Sequence, residues 1–347
     1  MKDKTVNHII SDYYLTPLLQ KYLIYDNDAS QKGKGVGFHR RRLKRYLRKY
    51  FLENKSNEGY ILLADFSGYY CNIPHDQCLE MLNSFIDREI KNNKDNETIK
   101  NLLEKILRTF RVDVSRFSDE EIEKLKVGKV DPQMNVGVPK HLLTGKKFLD
   151  KGVEIGNQIS QNIGIIYAHE IDNYVKIVKG IKIYARYTDD LYAIAKYKED
   201  LVELLKGIRK ISDKYGLKIN EKKTKIVKLS KMFRHLKDGY ILTDTGKIIC
   251  KINPENITKE RQRLKSYKKL LSEGKITYKE IENIFRGWLG ANWKRMSHMQ
   301  IYAMHDLFTL LFIRKPNWKK LCSRLRWYIN NKPKNCIYKE QQLPKNS

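Results

Sequence analysis

Cysteine is scarce in this chain of 347 residues. The five cysteines, Cys71, Cys78, Cys250, Cys322 and Cys336, are scattered, and they form neither a Cys-x-x-Cys pair nor the spacing of a zinc site. An odd number of scattered cysteines argues against a disulfide framework and is typical of reduced thiols in a cytosol. We therefore expect a cytoplasmic protein without disulfides.

Long apolar runs and flexible linkers are lacking too. The start of the chain has no apolar h-region, which predicts that there is no signal peptide. The most apolar run, near 307–313, is far too short to span a bilayer. Only 8 prolines and 19 glycines are present, while 41% of the residues are hydrophobic. The chain can therefore bury a sizeable core, and we expect a protein of several lobes with no membrane partner.

Acidic residues are in short supply relative to basic ones. The chain has 69 Lys and Arg against 40 Asp and Glu, a formal net charge of +29. Such an excess favours a polyanionic partner, foremost nucleic acid, over a merely soluble basic protein. Part of it lies at 31–46, where a Lys-rich loop with three glycines precedes an Arg-rich helix. This segment either wraps phosphates or is a solvated helix face.

Two patterns predict strands that end in carboxylates. Residues 60–65 form a short apolar run, which predicts a buried strand with Asp65 at its end. Residues 181–195 carry β-branched and aromatic side chains on both sides of Asp189 and Asp190. That arrangement predicts a strand, a tight turn and a second strand.

Helical patterns surround these strands. We predict helices within 76–126, interrupted by a loop at 91–97, and over 198–215, followed by a strand at 224–229. A single helix is predicted from Gly156 to Tyr174. One side of it carries isoleucines at 155, 159, 163 and 166, and beside them run Gly156, Ser160, Gly164 and Ala168. The small residues allow either close approach of a ligand or tight helix packing.

The C-terminal part of the chain is predicted to be a hairpin followed by helices. The hairpin covers 233–250, with turn residues at 243–246, and the helices follow Pro254. Two capping boxes, Thr277 with Glu280 and Ser297 with Gln300, predict where two of the helices begin. The aromatic residues expected to pack this lobe together are Trp288, Trp293, Phe308 and Phe312.

The carboxylates Asp65, Asp189 and Asp190 are the candidates for chemistry. Each alone is weak evidence for catalysis, because Asp is common in turns and at strand ends. On neighbouring buried strands, however, three carboxylates would meet, and so many anions are tolerable only around metal. Hard oxygen ligands without His or Cys point to Mg²⁺ rather than zinc. Two such ions, roughly 4 Å apart, would serve in-line nucleotidyl transfer.

Four stretches of the sequence resemble motifs of the reverse transcriptase family, in the same order. They are 65–70 (Asp-Phe-Ser-Gly-Tyr-Tyr), 155–161 (Ile-Gly-Asn-Gln-Ile-Ser-Gln), 187–190 (Tyr-Thr-Asp-Asp) and 216–224 (Gly-Leu-Lys-Ile-Asn-Glu-Lys-Lys-Thr). Residues 233–240 fall where the primer-grip hairpin of that family belongs. The likeness covers roughly 20–312, and the four motifs are highly specific together.

The resemblance implies a fold and an activity. The fold is an α+β right-hand polymerase with fingers, an RRM-like antiparallel palm sheet backed by helices, and a helical thumb. An N-terminal helical and basic fingers segment would cover 1–58, the palm with inserted fingers elements 59–252, and a basic helical thumb with a C-terminal tail 253–347. The activity is RNA-directed DNA polymerisation. Its partners would be an RNA template, a DNA primer or product, dNTPs and two Mg²⁺ ions, for which Mn²⁺ can substitute.

The resemblance also implies roles for single residues. Asp65, Asp189 and Asp190 would bind metal, and Lys223 would assist the leaving pyrophosphate. Tyr70 would block a ribose 2′-hydroxyl, which implies a DNA product. The other nucleotide-binding positions would be Phe66, Gly156, Asn157, Gln158, Ser160, Gln161, Lys32, Lys34, Arg40 and Arg41. The nucleic-acid-binding positions would be Tyr187, Arg42, Lys259, Arg261, Arg263, Lys265 and Lys268, with phosphate contacts independent of sequence.

The chain looks like the compact bacterial enzymes, since its length leaves no room for RNase H, integrase or endonuclease domains. Ile155 stands where many members have Gln, as in diversity-generating retroelements, where this change goes with error-prone copying. Low fidelity is therefore a hypothesis. Retron signatures are lacking, whereas defence-associated enzymes share the size and the palm. Diversification and antiviral defence both remain open, as do a cognate non-coding RNA, an accessory protein and self-assembly.

Three other hypotheses are weighed against this one. A polymerase-like module that binds a structured RNA and acts by assembly would predict decay of the carboxylates, yet all three are present. An RNA-dependent RNA polymerase is disfavoured by Tyr70. Template-independent DNA synthesis is an alternative activity of the same kind of enzyme.

Overall fold

The computed structural model describes residues 2–128, 130–131, 133–317 and 323–331. Cys322, Cys336 and the predicted C-terminal tail beyond 331 lie outside the described residues. Two compact units are distinguished. The first comprises the chain up to Lys231 together with Leu242–Lys247, and the second comprises Met232–Ile241 and the described residues from Ile248 onward. The limits predicted for fingers, palm and thumb stay predictions.

The first unit contains an antiparallel sheet of four strands in the order β4-β5-β1-β6. Its strands are β1 (Tyr60–Asp65), β4 (Tyr184–Tyr187), β5 (Asp190–Ala195) and β6 (Lys225–Lys228), and a separate ribbon is formed by β2 (Val112–Asp113) and β3 (Phe148–Leu149). The strands predicted at 60–65, on both sides of the 188–190 turn and at 224–229 are thus confirmed.

The first unit also contains helices, most of which pack around the four-stranded sheet. They are α1 (Lys2–Ile9), α2 (Thr16–Gln20), α3 (Val36–Asn54), α4 (His75–Glu89), α5 (Asn93–Arg108), α6 (Asp119–Val127), α7 (Gln158–Ile166), α8 (His169–Asn173) and α9 (Lys198–Lys214). The segments Ile10–Leu15 and Tyr174–Val178 are π-helical. Strands buried by helices need no polar alternation, which is why β1 is a continuous apolar run.

The two faces of the sheet carry different side chains. Leu62 and Ala64 pair with Ala193 and Leu191, and all four belong to the main apolar core that the helices complete. Successive side chains of a strand point to opposite faces, so Asp65 lies on the other face. Asp65 and its pairing partner Asp190 therefore lie on the face opposite Leu62 and Ala64, at one end of a strand that is buried along most of its length.

Two helix predictions were wrong. The single helix predicted from Gly156 to Tyr174 is broken, because Ala168 leaves helical geometry at φ −94° and ψ 21°. Gly156 and Ile155 precede α7, and Ile155 is exposed, so the apolar stripe does not include it. The loop predicted at 91–97 is mostly helix, since Asn92 caps α5 by accepting a hydrogen bond from the Lys94 N–H.

The second unit has a three-stranded sheet and four described helices. The strands β7 (Phe233–His235), β8 (Asp238–Leu242) and β9 (Ile248–Ile252) are adjacent in that order, and the helices are α10 (Pro254–Ser272), α11 (Tyr278–Asn292), α12 (His298–Phe312) and α13 (Ser323–Asn330). The predicted hairpin is thus a meander. Its first two strands form a hairpin where the resemblance placed one, at 233–240. Turn-forming residue types did not indicate this turn, because Leu236 and Lys237 adopt positive φ, 44° and 67°, without glycine.

The helical part of the second unit agrees with the predictions. Both capping boxes are present at the starts of α11 and α12. Phe308 and Phe312 are buried in the apolar cluster of this unit, and Trp288 and Trp293 pack against it. No described helix, in either unit, is long and apolar enough to cross a membrane.

Candidate active site

Three carboxylates converge at one end of the four-stranded sheet. Asp65, the last residue of β1, lies directly opposite Asp190, the first residue of β5. Asp189 precedes it in the tight turn, where Thr188 has a φ of 57°. One carboxylate oxygen from each of the three lies within 4.8 Å of the others. The structure therefore brings together the three aspartates that the sequence analysis singled out.

Their electrostatic environment is unfavourable for three negative charges. Asp65 is only 6% exposed, and the other two are half-buried. Burial raises the pKa of Asp190 to about 7, and the charges of Asp189 and Asp65 add to the effect. Burial, with the charge of Asp65, also raises the pKa of Asp189. A cation bound among these oxygens would relieve the repulsion.

Residues 216–224 make direct contacts with Asp65. The Lys223 ammonium donates to Asp65 Oδ2 at 2.8 Å, and the Asn220 side-chain amide donates to the same oxygen at 3.2 Å. The Asn220 backbone N–H also donates to the Asp65 carbonyl at 2.7 Å. The hydrogen bond to Asp65 raises the pKa of Lys223, whose side chain is 66% exposed. Two of the motifs therefore meet at one carboxylate.

Tyr70 lies beside both the carboxylates and α7. Burial and the nearby charge of Asp189 raise its pKa. Its ring packs against Gly164 so closely that a Cβ added there would lie 2.4 Å from the Tyr70 hydroxyl. Gly164 is therefore required for packing against Tyr70, one of the two explanations considered for the small residues. Phe66 is buried, and its N–H donates to the Asp189 carbonyl at 3.3 Å.

Other residues of the second motif have varied environments. Ser160 is 1% exposed, and among the described residues no hydrogen-bond partner is found for its hydroxyl. Asn157 caps α7 by accepting from the Ile159 N–H at 2.9 Å, and Gln158 donates to Asp12. Gln161 and Gly156 are exposed. Asn157 and Gln158 thus have structural contacts that the sequence did not reveal.

The N-terminal cations divide into two groups. Lys34 donates to the carbonyls of Tyr25 and Asn27, at 2.7 and 3.0 Å, and Arg42 is paired with Asp26. Both cations therefore stabilise the segment before α3. The other predicted cations are Lys32 and Arg41, which are exposed, and Arg40, which is half-buried.

The predicted basic residues of α10 lie in the second unit. Lys259, Arg263, Lys265 and Lys268 are exposed and Arg261 is half-buried. Arg263 forms an ion pair with Glu260 at 3.2 Å, so it is partly neutralised within its own helix.

Arg186 is a residue that the sequence analysis missed. It is completely buried and forms a two-pronged ion pair with Asp172, with distances of 2.8 and 2.7 Å. It also donates to the carbonyls of Thr188 and Ile165, each at 2.8 Å. Arg186 therefore fixes the turn that carries Asp189 to α7 and α8. The only sequence feature that could have indicated its burial is that it stands as a cation among the apolar and aromatic residues of a predicted strand.

A second buried pair lies beside the Tyr187 ring. His39 of α3 and Asp28 are both inaccessible to solvent, and the His39 Nδ1 lies 2.7 Å from Asp28 Oδ2. The His39 ring contacts the half-buried Tyr187 edge-on, with centroids 5.6 Å apart. The Asp28 N–H donates to the Arg186 carbonyl at 3.0 Å. Residues at the N-terminal end of the chain thus support the turn.

Comparison with known proteins gives a family match. A family model for reverse transcriptase (RNA-dependent DNA polymerase) matches residues 1–236. No curated protein matches the sequence. Among solved structures, apo telomerase from Candida tropicalis, truncated from its C-terminal domain, is 15% identical. The match covers 69% of this chain and 46% of that one, with a TM-score of 0.47.

A second solved structure gives a similar result. Telomerase from Candida albicans, in complex with the TWJ fragment of telomeric RNA, is 11% identical. The match covers 93% of this chain and 56% of that one, with a TM-score of 0.47. The chain therefore spans about half the length of the telomerase chains that it matches.

Proposed function

We propose that this chain, which belongs to the reverse transcriptase (RNA-dependent DNA polymerase) family, is an RNA-directed DNA polymerase that extends a primer with dNTPs. The observation that carries the proposal is the convergence of Asp65, Asp189 and Asp190, with carboxylate oxygens within 4.8 Å of one another. A module that only bound RNA would have no need for three repelling anions in a half-buried position.

The donor set suits hard divalent cations. All three side chains offer oxygen, and Mg²⁺ prefers carboxylates, with Mn²⁺ as a substitute. When bound, two Mg²⁺ ions would make the primer 3′-hydroxyl a better nucleophile and neutralise charge on the departing pyrophosphate. The chain's own contribution is position: Asp65 and Asp190 are held opposite each other by the β1–β5 ladder.

Two further side chains have proposed roles at the reacting nucleotide. Lys223 is largely exposed while it contacts Asp65, so its ammonium can offer positive charge to a leaving pyrophosphate. Tyr70, held between Gly164 and the charge of Asp189, would exclude a ribose 2′-hydroxyl. Ser160, buried on α7, and Phe66 would shape the remainder of the nucleotide site.

The proposed partners are an RNA template and a DNA product in a bacterial cytoplasm. The excess of positive charge, which includes exposed Lys32, Arg41 and most predicted cations of α10, supports phosphate contacts that do not depend on sequence. Ile155, in place of the more usual Gln, supports error-prone copying, as in diversity-generating retroelements. Phage defence is the other biological role that this compact type of enzyme serves.

Primer extension tests the proposed activity. The purified chain is given an RNA template, a DNA primer, Mg²⁺ and labelled dNTPs, beside Asp189→Asn and the exposed control Asp213→Asn. We expect Asp189→Asn to lose on the order of 10³-fold or more in rate, because several kcal/mol of charge stabilisation depend on the metal. The control should extend normally, and EDTA should stop both active proteins.

RNA affinity, measured on the same variants, separates chemistry from structure. Asp189→Asn should retain nearly the same affinity for the RNA template as the wild-type chain. If it lost RNA binding together with incorporation, the carboxylates would be structural rather than catalytic. Incorporation without any RNA template would instead identify template-independent DNA synthesis.

A further inference from the structure

The second unit contains a surface cavity of about 390 Å³ that no predicted site residue lines. It is formed by the segment between α11 and α12, the start of α12, and α13. The lining residues are Trp293, Lys294, Met296, His298, Ile301, Arg324 and Tyr328. None of these seven is acidic, so the cavity combines aromatic surface with positive charge only.

Aromatic rings in and beside the cavity form a connected cluster around Tyr328. Its ring centroid lies 4.2 Å from that of His298, 5.4 Å from that of Trp327 and 6.5 Å from that of Trp293. Trp327 is 61% exposed, and Trp293 and Tyr328 are only half-buried. Packing within the unit therefore leaves part of this aromatic surface open to a ligand.

Trp288 in the same unit gives a contrast. Its ring stacks on the buried Phe285 with an interplanar angle of 13°, and Trp288 packs against the apolar cluster of the unit, as Trp293 also does. Trp288 therefore serves packing, as predicted for the aromatic residues of this lobe. The contrast is with the rings around Tyr328: Trp327 is exposed, and Trp293 and Tyr328, although partly packed, also line the cavity with part of their surface.

The cations of the cavity are placed beside its rings. The Lys294 ammonium lies 5.8 Å from the centroid of the Trp293 ring, and Arg324 is exposed at the start of α13. A ligand that suits such a site has a flat π-surface next to negative charge. A nucleobase with its phosphates has both features, and base–aromatic stacking tolerates any base.

We propose that this cavity binds a nucleobase of a single-stranded nucleic acid, with Tyr328 and Trp293 stacking on the base and Lys294 and Arg324 facing its phosphates. The inference rests on the proposed function in one respect, namely that the chain handles RNA and DNA strands. The site lies in the second unit and uses none of the residues proposed for catalysis. It would hold an unpaired part of the strand rather than a duplex.

Binding of short oligonucleotides tests the site. Fluorescein-labelled dT10, rU10 and a fully abasic strand of the same length are titrated against the full chain and against Tyr328→Ala. We expect Tyr328→Ala to bind dT10 or rU10 roughly 5- to 150-fold more weakly, the effect of losing one stacked base. Tyr328→Phe should bind like the wild-type chain, and the abasic strand should not distinguish the variants.

The cations have a matched control. Lys294 directly follows α11, and Lys294→Gln is compared with Lys279→Gln, which removes an exposed lysine at the start of α11, roughly 20 Å away along the helix axis. Lys294→Gln should weaken binding more than Lys279→Gln at low salt. Equal effects would mean that the cavity contributes no specific phosphate contact, and would contradict the proposed role of Lys294.

Crosslinking locates the contact directly. A dT10 or rU10 strand with 5-iodouracil at its centre should crosslink to Trp293 or Tyr328, and the strand that does so identifies DNA or RNA as the source. Crosslinks confined to the first unit, with unchanged binding by a folded Tyr328→Ala, would overturn the proposal.

The result of the oligonucleotide-binding test can be distinguished from the result of the polymerase test. Primer extension is measured on the same preparations. If the wild-type chain extends the primer but binding does not depend on Tyr328, the nucleobase site is rejected and the polymerase activity is kept. Absent extension with Tyr328-dependent binding would reject the polymerase and keep the cavity.

Discussion

The β4–β5 hairpin carries two charged groups that differ in how their charges are balanced. At its turn, Asp189 and Asp190 meet Asp65, and Lys223 contacts only one of the three carboxylates. Two residues before Thr188, Arg186 is buried, and its ion pair with Asp172 is completed by further hydrogen bonds. The first group has an excess of negative charge, whereas in the second group one positive charge is balanced by one negative charge.

The difference separates a functional group from a supporting one. A buried ion pair supported by further hydrogen bonds needs no ligand to balance its charges, although removing one partner is costly. Three carboxylates in a half-buried place lower stability until a cation binds, so their presence together indicates a role outside folding. Proximity to the same turn therefore does not imply the same role.

The largest effect on stability is expected for Arg186→Met. It leaves Asp172 as an uncompensated buried charge, so the free energy of unfolding should fall by about 3–5 kcal/mol. Urea unfolding measures the change. The control is Arg209→Met, because Arg209 pairs with Glu221 at 2.7 Å on the exposed surface, and such pairs contribute about 0–1 kcal/mol. Equal losses in the two variants would contradict the supporting role of Arg186.

A smaller effect of opposite sign is expected for Asp190→Asn. In EDTA this variant should have a higher melting temperature than the wild-type chain, since one of three repelling charges is removed. The free energy of unfolding should rise by on the order of 1 kcal/mol. Added Mg²⁺ should raise the melting temperature of the wild-type chain more than that of the variant. Destabilisation in EDTA, as for Arg186→Met, would place Asp190 among the supporting residues.

An effect on sugar selection is expected for Gly164→Ala, at the residue before Ile165, whose carbonyl accepts from Arg186. The added methyl group collides with the Tyr70 ring, an overpacking that costs about 1–3 kcal/mol or moves the ring. We expect weaker discrimination against ribonucleotides, by about tenfold, measured as competing rNTP and dNTP incorporation. Gly287→Ala on α11 is the control, because a Cβ there meets no atom within 4 Å. Unchanged sugar selectivity in Gly164→Ala would contradict the proposed role of Tyr70 in excluding ribonucleotides.

Sequence patterns predicted the carboxylate group but not its support. Asp65, Asp189 and Asp190 stood out because each follows or lies between apolar segments, where a charge is unexpected. Arg186 was hidden, because one arginine among 69 basic residues does not indicate burial. Its partner Asp172 lies on a helix whose predicted continuity concealed the break at Ala168. Burial and pairing depend on tertiary contacts, which periodicity does not encode.

The second unit illustrates the same limit. Its capping boxes were readable because the Ser or Thr and the residue three positions later act locally. The turn at Leu236 and Lys237 was expected only from the family resemblance, since neither residue favours positive φ on its own. Local chemistry was predicted well, and conformations imposed by packing were not.

The unbroken register between β1 and β5 has a consequence for how the chain can change in length. Six consecutive residue pairs, from Tyr60 with Ala195 to Asp65 with Asp190, connect the strands without a bulge. Inserting or deleting one residue inside either strand would turn Asp65 or Asp190 to the opposite face. Extra residues between α4 and α5 would not alter that pairing. When random insertions are selected for retained polymerase activity, they should therefore accumulate in such connections and be missing from 60–65 and 190–195.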